Sequence, residues 1–364
     1  MSGKRVVVAM SGGVDSSTAL AILKARGYDC IGVSMQLWDY SAKADPSGAT
    51  SGSCCSLDDI ADARAAADKV GVPFYVMNLE SVFGSAVVDN FVAEYLSGRT
   101  PNPCVRCNQL LKFDALLKKA AAFEADCLAT GHYARIEPHA GGWRLLKGVD
   151  PSKDQSYFLF TMTQAQLGRT LFPLGSLTKK EVREIARSCG LKTAEKAESQ
   201  EICFVEDGDY AGFLAGRAAT SPGDITDLSG NVIGGHKGLY NYTIGQRKGL
   251  GLSGGPYYVV GIDPAGNRLI VGPESALYAE GLVASGLNWI EDAARAELRD
   301  NALGPVTVKI RYRHDGAEAH ITPDNASVRV RFHLPQRAVT PGQAVVFYRG
   351  DVVLGGGWID RALE

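Results

Sequence analysis

Residues 1 to about 205 alternate short apolar, β-branched runs with stretches of helical periodicity. The first run, residues 6–10, is apolar throughout, which is typical of a strand buried on both faces of a parallel sheet. A helical pattern follows over residues 16–26, with apolar side chains on one face and a glycine stop at Gly27. Because strands that alternate with helices build parallel sheets, the sequence predicts an α/β, Rossmann-like domain covered by helices.

The same alternation predicts further elements up to residue 130. We expect strands and helices at these positions: strands at 30–37, 74–79 and 127–130, and helices from Asp58 or Asp59 to Gly71, near 81–97 and at 105–122. Residues 39–56 are rich in serine, glycine, alanine and aspartate, so we predict a mobile loop there.

The pattern changes after about residue 208, where turn signals recur between short apolar runs. The predicted elements are strands at 257–262, 268–271, 305–313, 317–322, 327–334 and 344–360, with a linker of helical character around 288–300. We therefore expect three domains: an α/β domain at 1–208, a small β-rich central domain at 209–280 and a C-terminal β-barrel at 281–364.

The composition is that of a globular protein, with 45% hydrophobic and 21% charged residues, which argues against a disordered chain. The apolar runs are too short to cross a bilayer and the first residues lack a secretory pattern, so we expect a cytoplasmic protein with no membrane partner. A formal net charge of -2 excludes a global positive field, so RNA binding would have to use local basic faces.

A glycine-rich loop, SGGVDSS at residues 11–17, stands between the first strand and the first helix. Glycines let the backbone approach an anion, and the amides at a helix start point toward it. The loop lacks the lysine of a Walker P-loop and the glycine spacing of a dinucleotide fingerprint. It therefore predicts a phosphate site of another kind, the alternative being a tight turn that only begins a helix.

Two cysteines are candidates for chemistry. Cys107 precedes a predicted helix, where the positive end of the helix dipole lowers a thiol pKa and favours the thiolate. Cys203 lies where the α/β part joins the later domain, a common place for active-site loops. Three others are expected to be small buried hydrophobes: Cys30, Cys127 and Cys189. Two more fall in the polar loop: Cys54 and Cys55.

A metal site is the alternative interpretation of these thiols. Cys104-x-x-Cys107 together with Cys203 would supply three thiolates, enough for zinc with one further ligand or for a [4Fe–4S] cluster with one open iron. Because two C-x-x-C pairs are the usual signature and only one is present, we assign no metal here.

The loop sequence SGGVDSS resembles the PP-loop of the ATP pyrophosphatases, which cleave ATP between its α and β phosphates and adenylate a carbonyl oxygen. The resemblance implies the PP-loop (adenine nucleotide alpha hydrolase-like) fold and ATP as a cofactor, with Asp15 near the accompanying Mg2+. It does not name the substrate, because GMP synthetases, NAD synthetases and argininosuccinate synthases share the motif.

Motifs along the whole chain resemble those of the tRNA-specific 2-thiouridylases. They are the PP-loop, GRTPNP at 98–103, Cys107-Asn108, ATGHY at 129–133, KDQSY at 153–157, ICF at 202–204 and YTIGQRKGLG at 242–251. The resemblance implies an enzyme that adenylates the C2 oxygen of the tRNA wobble uridine and replaces it with sulfur.

This resemblance also implies roles for individual residues. Cys203 would carry a persulfide, and Cys107 would be the partner cysteine that resolves it through a transient disulfide. Nucleotide contacts are implied for Ala9, Met10, Ser11, Gly12, Gly13, Val14, Asp15, Ser16, Met35 and Gly131. RNA contacts are implied for Asn102, Pro103, Cys104, His132, Lys153, Asp154, Gln155, Arg311, Tyr312 and Gln343. The implied partners are the tRNA anticodon stem-loop and a sulfur-relay protein or cysteine desulfurase.

Cys104 departs from the family pattern, in which many members have Asn-Pro-Asp before the first cysteine. The change removes a carboxylate and creates the C-x-x-C pair, so the choice of Cys107 over Cys104 rests on its register with Asn108 and the following helix. His132 also has an alternative role, since a lone histidine after a strand is often only a structural hydrogen-bonding group.

Two predicted barrel strands carry basic residues on one face, opposite an apolar face that ends at Leu334. The basic residues are Lys309, Arg311 and Arg313 on the first strand and Arg329, Arg331 and His333 on the second. Such a face suits phosphate contacts, and the alternative is a solvated face whose charges protect the sheet edge.

Three other functions remain open on the sequence alone. They are a PP-loop enzyme that transfers nitrogen, an iron–sulfur-dependent RNA thiolase and a non-catalytic RNA-binding scaffold.

Overall fold

The structure, a computed structural model, describes residues 3–38, 57–197, 202–205, 209–217, 221–300 and 302–364. The loop predicted at 39–56, with Cys54 and Cys55, lies outside the described residues. The chain divides into two compact units. Unit 1 comprises residues 1–87, 104–208 and 351–353, and unit 2 comprises residues 88–103, 209–350 and 354–364.

The strands follow the predicted change of pattern along the chain. They are β1 (Arg5–Ala9), β2 (Asp29–Gln36), β3 (Phe74–Asn78), β4 (Cys127–Ala129), β5 (Ala134–His139), β6 (Gly142–Lys147), β7 (Thr170–Leu171), β8 (Gly223–Thr226), β9 (Val232–His236), β10 (Tyr258–Asp263), β11 (Arg268–Gly272), β12 (Tyr278–Trp289), β13 (Leu303–Lys309), β14 (Ala317–Asp324), β15 (Ser327–Arg337), β16 (Ala344–Arg349) and β17 (Val352–Leu363).

Most helices precede β8. The α-helices are α1 (Val14–Ala25), α2 (Leu57–Val70), α3 (Glu80–Phe83), α4 (Asp89–Leu96), α5 (Pro103–Arg106), α6 (Leu117–Ala120), α7 (Gln164–Leu167), α8 (Lys179–Ser188), α9 (Tyr210–Ala215) and α10 (Asp292–Asp300). Two π-helical stretches join neighbouring α-helices: Gly84–Val88 and Cys107–Leu116. Short 3₁₀ turns lie at Ala121–Phe123, Ser156–Leu159, Lys192–Glu195, Leu239–Asn241 and Glu274–Leu277.

Unit 1 is built on a parallel sheet with strand order β3-β2-β1-β4-β7. β1 occupies the centre, and Val6, Val7 and Val8 are fully buried, as the apolar run predicts. Val7 lies opposite Ile31 of β2 and Leu128 of β4, all in parallel register. Helices α1, α2 and α8 pack on this sheet through a shared apolar cluster, so the predicted α/β domain is present.

The helix before Leu116 begins earlier than the sequence predicts. We expected a helix at 105–122, but it starts at Pro103, because proline suits the first helical position, where its missing amide is not needed. From Cys107 to Leu116 the backbone is π-helical, a geometry that often occurs at functional sites.

Unit 2 contains two β structures. The central sheet has the order β10-β11-β8-β9 and a core of Ile225, Val259, Leu269 and Val271. β12, β15, β14, β13, β16 and β17 form a second sheet that closes on itself through the pairing of β12 with β17. This is the predicted C-terminal barrel.

The barrel interior follows the predicted alternation, with Val306, Val308, Val328 and Val330 buried. Three details differ from the sequence prediction. The strand expected at 344–360 is two strands, β16 and β17, and the linker around 288–300 is helical only in α10 because β12 continues to Trp289. Leu334, expected on the apolar face, is 67% exposed.

Among the described residues, the structure contains no helix that is both long and apolar enough to span a bilayer.

Candidate functional site

The glycine-rich loop lies at the carboxyl end of the central strand β1. The strand order runs outward from β1 in both directions, to β2 and β3 on one side and to β4 and β7 on the other. Such a reversal opens a crevice between neighbouring strand ends, which is where ligands bind in open α/β sheets. The fold therefore puts residues 11–17 at the position expected of a binding loop.

Within the loop, Gly12 and Gly13 serve different purposes. Gly12 has φ +72°, and a Cβ there would overlap the backbone carbonyl of Asp59. Gly13 is the N-cap of α1 and contributes no side-chain cap, so the first amides of this helix remain for an anion. The hydroxyl of Ser16 accepts from the Ser11 amide at 3.1 Å, which fixes the loop shape.

Gly131, after β4, abuts the start of α1. A Cβ at Gly131 would lie 2.8 Å from the backbone carbon of Asp15 and from the amide nitrogen of Ser16. Gly131 and the loop after β1 thus share one crevice. Met35, the other residue implied as a nucleotide contact, is a buried residue near the carboxyl end of β2. The residues implied as nucleotide contacts therefore lie at the ends of three adjacent strands.

Asp15 is held by two residues that the sequence analysis did not identify. The Lys179 ammonium donates to both carboxylate oxygens of Asp15, at 2.7 and 2.8 Å, and the Tyr133 hydroxyl donates to one of them at 2.7 Å. Lys179 is buried although it is a lysine, and it begins α8 directly after the N-cap Thr178. A buried lysine is rare unless it is paired, but burial cannot be read from the sequence.

The loop fits the phosphates of ATP, because it presents helix amides and no side chain can replace Gly12. The fit to magnesium is different. Both oxygens of Asp15 already accept from Lys179, and the described residues contain no group of three His, Cys, Asp or Glu side chains able to hold a metal. A Mg2+ ion that accompanies ATP would thus depend mainly on phosphate oxygens.

Residues 153–155 (Lys-Asp-Gln) include Gln155, which bonds to the backbone of Tyr133. The side-chain oxygen of Gln155 accepts from the backbone amide of Tyr133 at 3.0 Å. The backbone amide of Gln155 donates to the Tyr133 carbonyl at 2.9 Å. Asp154 is buried and accepts from the amides of Gly148 and Ser156. Although the resemblance implies RNA contacts for Lys153, Asp154 and Gln155, the last two already serve the local structure. Lys153 is half-buried.

His132 is buried between two aromatic rings. Its ring centroid lies 6.0 Å from that of Phe113 and 5.8 Å from that of Phe172, and Nδ1 is 2.7 Å from the Thr130 hydroxyl oxygen. Burial lowers the pKa of His132 well below 6.5, and the charge of Lys112 lowers it further. The ring is therefore neutral, and these contacts favour the structural alternative over direct contact with RNA.

The two cysteines of the C-x-x-C pair differ in position. Cys104 is exposed in the first turn of the helix that begins at Pro103, whereas Cys107 is half-buried one turn later. The prediction that Cys107 lies at the helix start was wrong, and the helix-dipole argument applies to Cys104 instead, because the effect fades within one turn. Next to Cys107, the buried Asn108 donates to the Phe158 carbonyl, and its Oδ1 has no hydrogen-bond donor among the described residues.

Cys203 is half-buried, and its neighbours connect it to the helix of Cys107. The Phe204 ring packs on Phe83 with centroids 5.5 Å apart, and α3, which carries Phe83, contacts the π-helical stretch that begins at Cys107. Upstream, Lys196 pairs with Asp59 at 2.7 Å, and the backbone of Asp59 abuts Gly12. The upstream end of the Cys203 segment thus lies against α2 beside the loop, and its downstream end lies against α3, next to the helix of Cys107. Residues 198–201 of this segment lie outside the described residues.

The other cysteines only partly match the predictions. Cys30 is buried, and burial raises its pKa to about 11, which makes it an inert thiol at neutral pH. Cys127 is half-buried, and burial raises its pKa. Cys189 is exposed, so its prediction as a buried hydrophobe was wrong, because it follows the end of α8 at the surface.

The structure does not support a metal site built from the thiolates of Cys104, Cys107 and Cys203. Cys104, Cys107 and Cys203 are all described, yet no three potential ligands in the described part of the chain form a group that could hold a metal. A [4Fe–4S] cluster on these residues therefore finds no support in the structure.

Comparisons with known proteins match the whole chain. Three family models align in succession: a tRNA methyl transferase HUP domain over residues 4–207, a tRNA methyl transferase PRC-barrel domain over 211–273 and an aminomethyltransferase β-barrel domain over 279–359. A tRNA-specific 2-thiouridylase MnmA from Geotalea uraniireducens is 55% identical over 99% of this chain and 96% of its own. A second tRNA-specific 2-thiouridylase MnmA, from Magnetococcus marinus, is 52% identical over 98% of this chain and 99% of its own length.

The chain belongs to the tRNA-specific 2-thiouridylase family. The resemblance drawn from the sequence motifs is therefore confirmed, and so is the architecture of a PP-loop domain, a central domain and a C-terminal barrel. The family models name methyl transferases in their descriptions, whereas the relatives matched along their full length are named 2-thiouridylases.

Several residues to which the family resemblance assigns RNA contacts lie in unit 2, where they bond within the protein. Gln343 Nε2 donates to the carbonyls of Thr100 and Pro101, and Arg311 Nη1 donates to the Arg337 carbonyl. Arg311 and Tyr312 follow the end of β13 and do not continue the strand as predicted. The residues Asn102 and Pro103 are buried.

The predicted basic strand face is not uniformly basic. Arg329 pairs with Asp324 at 2.9 Å, and Arg331 pairs with Glu280 of the neighbouring strand at 2.8 Å. These carboxylates offset the positive charge that would attract phosphates. For β15, the structure therefore favours the alternative of a solvated face with paired charges.

Proposed function

We propose that this chain catalyses the ATP-dependent 2-thiolation of the wobble uridine of tRNA. The observation that carries the proposal is the 55% identity over 99% of the chain to a protein named tRNA-specific 2-thiouridylase. Two further observations support it: the anion-binding loop lies at the strand-order reversal, and Lys196, upstream of Cys203, pairs with Asp59, whose backbone abuts Gly12.

The first step is adenylation of the target base. The wobble uridine leaves its stack, because a stacked base hides its C2 edge from an enzyme. The C2 oxygen attacks the α-phosphorus of ATP, the bond to the β-phosphate breaks and pyrophosphate leaves. The amides at the start of α1 stabilise the phosphate charge, and Asp15, fixed by Lys179 and Tyr133, keeps the loop in shape.

The second step replaces the adenylated oxygen with sulfur. Cys203 carries a persulfide whose terminal sulfur attacks C2, the C2–O bond breaks and AMP leaves. Cys107 thiolate then attacks the inner sulfur of Cys203, which releases 2-thiouridine and forms a Cys107–Cys203 disulfide. In the alternative order, Cys107 attacks first and frees hydrosulfide, which then attacks C2. Either way a two-electron thiol reductant restores both cysteines.

This reaction requires two partners besides ATP. One is the anticodon stem-loop of a tRNA, and the other is a sulfur-relay protein or cysteine desulfurase that reloads Cys203. We also propose that residues 9–16, Met35 and Gly131 contact the nucleotide and that Asn102, Pro103 and Cys104 contact the target base.

The test is mass spectrometry of nucleosides after incubation of tRNA with the protein, ATP and a persulfide donor. We expect 2-thiouridine together with AMP and pyrophosphate, and no ADP. Cys203→Ser should reduce the product at least about a thousandfold while pyrophosphate release and adenylation of the tRNA persist, because the nucleophile acts after adenylation. Cys30→Ser is the matched control, since Cys30 lies opposite Val6 near the start of β1, whereas the loop follows the end of that strand.

A Cys203→Ser protein with full turnover would contradict the sulfur-transfer role and would favour a PP-loop enzyme that transfers nitrogen. The absence of any tRNA-dependent ATP cleavage in the wild-type protein would contradict the proposal as a whole.

A further inference from the structure

Residues 98–101, here called the anchor segment, contact both β structures of unit 2, the central sheet and the C-terminal barrel. Gly98 has φ +67°, and a Cβ there would lie 2.8 Å from Pro264 and 2.9 Å from Ile262 at the end of β10. On the barrel side, the Thr100 amide donates to the Pro341 carbonyl at 2.8 Å. The position of the anchor segment is therefore set by the β domains of unit 2.

Gln343 makes the most specific of these contacts. Its single side-chain amide donates to the Thr100 carbonyl at 3.0 Å and to the Pro101 carbonyl at 3.2 Å. Only a group with two N–H donors on one nitrogen can satisfy two successive carbonyls in this way. A glutamate at the same position would point only acceptors at them and would repel both.

The neighbouring residue shows how close the two segments lie. Gly342 has φ +89°, and a Cβ there would lie 2.9 Å from the Thr100 carbonyl oxygen and 3.1 Å from the Arg99 side chain. Arg99 in turn donates to the Ile359 carbonyl of β17 at 3.3 Å. The turn that carries Gly342 and Gln343 is therefore built to receive the anchor segment.

The anchor segment leads straight into Asn102, Pro103 and Cys104, the residues proposed to contact the target base. Two prolines flank Asn102, so two positions of this stretch have no backbone amide, while the carbonyls of Thr100 and Pro101 accept from Gln343. The same barrel turn follows β15, whose last carbonyl, that of Arg337, accepts from Arg311. The stretch proposed to contact the base and Arg311, to which the family resemblance assigns an RNA contact, are thus joined through one turn.

We propose that Gln343 is a positioning residue for the target-base segment, in which its two donated hydrogen bonds hold residues 102–104 for the reaction. The role of residues 102–104 rests on the proposed function, whereas the anchoring itself does not. Gln343 acts through the protein backbone, and its donors are already used before RNA binds.

Hydrogen exchange of the Thr100 amide in the RNA-free protein tests the anchoring directly. Gln343→Ala removes both hydrogen bonds to the anchor segment, so we expect the Thr100 amide to exchange about tenfold faster or more. Gln343→Glu should exceed this effect. Trypsin cleavage after Arg99 should accelerate in parallel, because the segment opens more often.

Gln336→Ala is the matched control. Gln336 is a glutamine of the same barrel whose side chain bonds to the Leu334 carbonyl at 2.7 Å and to His314 Nε2 at 3.0 Å, and to no residue of the anchor segment within the described chain. We expect its Thr100 exchange and trypsin cleavage to equal those of the wild type. Thermal unfolding of each variant checks that the barrel remains folded, and Gln343→Ala, the milder change, keeps the test valid if Gln343→Glu does not fold.

The thiolation assay separates positioning from RNA contact. Positioning predicts that Gln343→Ala lowers kcat about tenfold with the Kd for tRNA changed less than about twofold, since the contact is made without RNA. Unchanged Thr100 exchange in Gln343→Ala, with or without weaker tRNA binding, would overturn the proposal. If the wild type does not thiolate tRNA, the proposed function fails, but the exchange result still decides whether Gln343 anchors the segment.

Discussion

The phosphate loop of unit 1 and the barrel of unit 2 use polar groups in different ways. In the loop, the groups offered to a ligand are backbone amides, and the side chains of Ser16 and Asp15 are bonded inward to hold the shape. On the barrel, the side chains expected to contact RNA bond to the protein itself, as Gln343 does to Thr100. A site made of backbone is recognisable from its motif, whereas a site made of side chains depends on which partner each one finds.

The comparison is sharpest at Gly12. We expect Gly12→Ala to reduce ATP affinity about a hundredfold or more, because a Cβ would overlap the carbonyl of Asp59 and also strain a φ of +72°. Isothermal titration with a non-hydrolysable ATP analogue measures this. Gly27→Ala is the control: its φ is +81°, but nothing lies within 4 Å of the added Cβ, so it should cost only about 1–2 kcal/mol of stability. Equal ATP affinity in both variants would show that the loop backbone does not bind the phosphates.

The next largest effect should come from the ion pair behind the loop. Lys179→Met leaves the Asp15 carboxylate without its cation, so we expect a loss of about 2 kcal/mol in the free energy of unfolding and about tenfold in ATP affinity. Urea denaturation and nucleotide titration measure the two. The double variant Asp15→Asn with Lys179→Met should recover most of the stability but not the affinity. If the double variant is as unstable as the sum of the single variants, the two side chains are not coupled.

A third test concerns His132, a side chain of unit 1 that the family resemblance assigned to RNA. Its folded-state pKa is lowered below the unfolded value of 6.5 by burial, so the unfolded state binds the proton first as pH falls. This contribution to stability is complete above pH 6.5 and decreases below it by about 1.4 kcal/mol per pH unit until the folded-state pKa is reached.

Urea denaturation of the wild type and His132→Gln between pH 7.5 and 5.5 measures that slope. The variant should lose the steep dependence below pH 6.5, while the affinity for tRNA at pH 7.5 changes little. A variant that keeps the slope would refute the burial of the neutral ring, and a variant with greatly weakened tRNA binding would restore the RNA-contact role.

The smallest effect is expected on the barrel surface. Arg331→Ala removes an exposed ion pair with Glu280, so stability should change by less than about 0.5 kcal/mol. The affinity for tRNA should change less than about twofold, since the neighbouring carboxylate already offsets the charge. Filter binding at several salt concentrations measures the affinity and its salt dependence. A clear fall in both would identify Arg331 as a phosphate contact and return β15 to the RNA-facing surface.

The sequence by itself determined the parts of this protein whose chemistry is local. The apolar run of β1, the SGGVDSS turn and the start of α1 follow one another within a few residues, so their order and spacing already define a loop for an anion. The alternation of the barrel strands likewise depends only on neighbouring residues. It correctly predicted that Val306, Val308, Val328 and Val330 point into the barrel, where all four are buried.

Only the tertiary structure decided which distant side chains meet. Lys179 and Tyr133 reach Asp15 across long stretches of chain, and Gln343 reaches Thr100 across 243 positions. The helix start at Pro103 moved the dipole argument from Cys107 to Cys104, although both stand in the same short motif. The physical reason is that a hydrogen bond or ion pair depends on separation in space, which periodicity and motif spacing do not encode beyond a few residues.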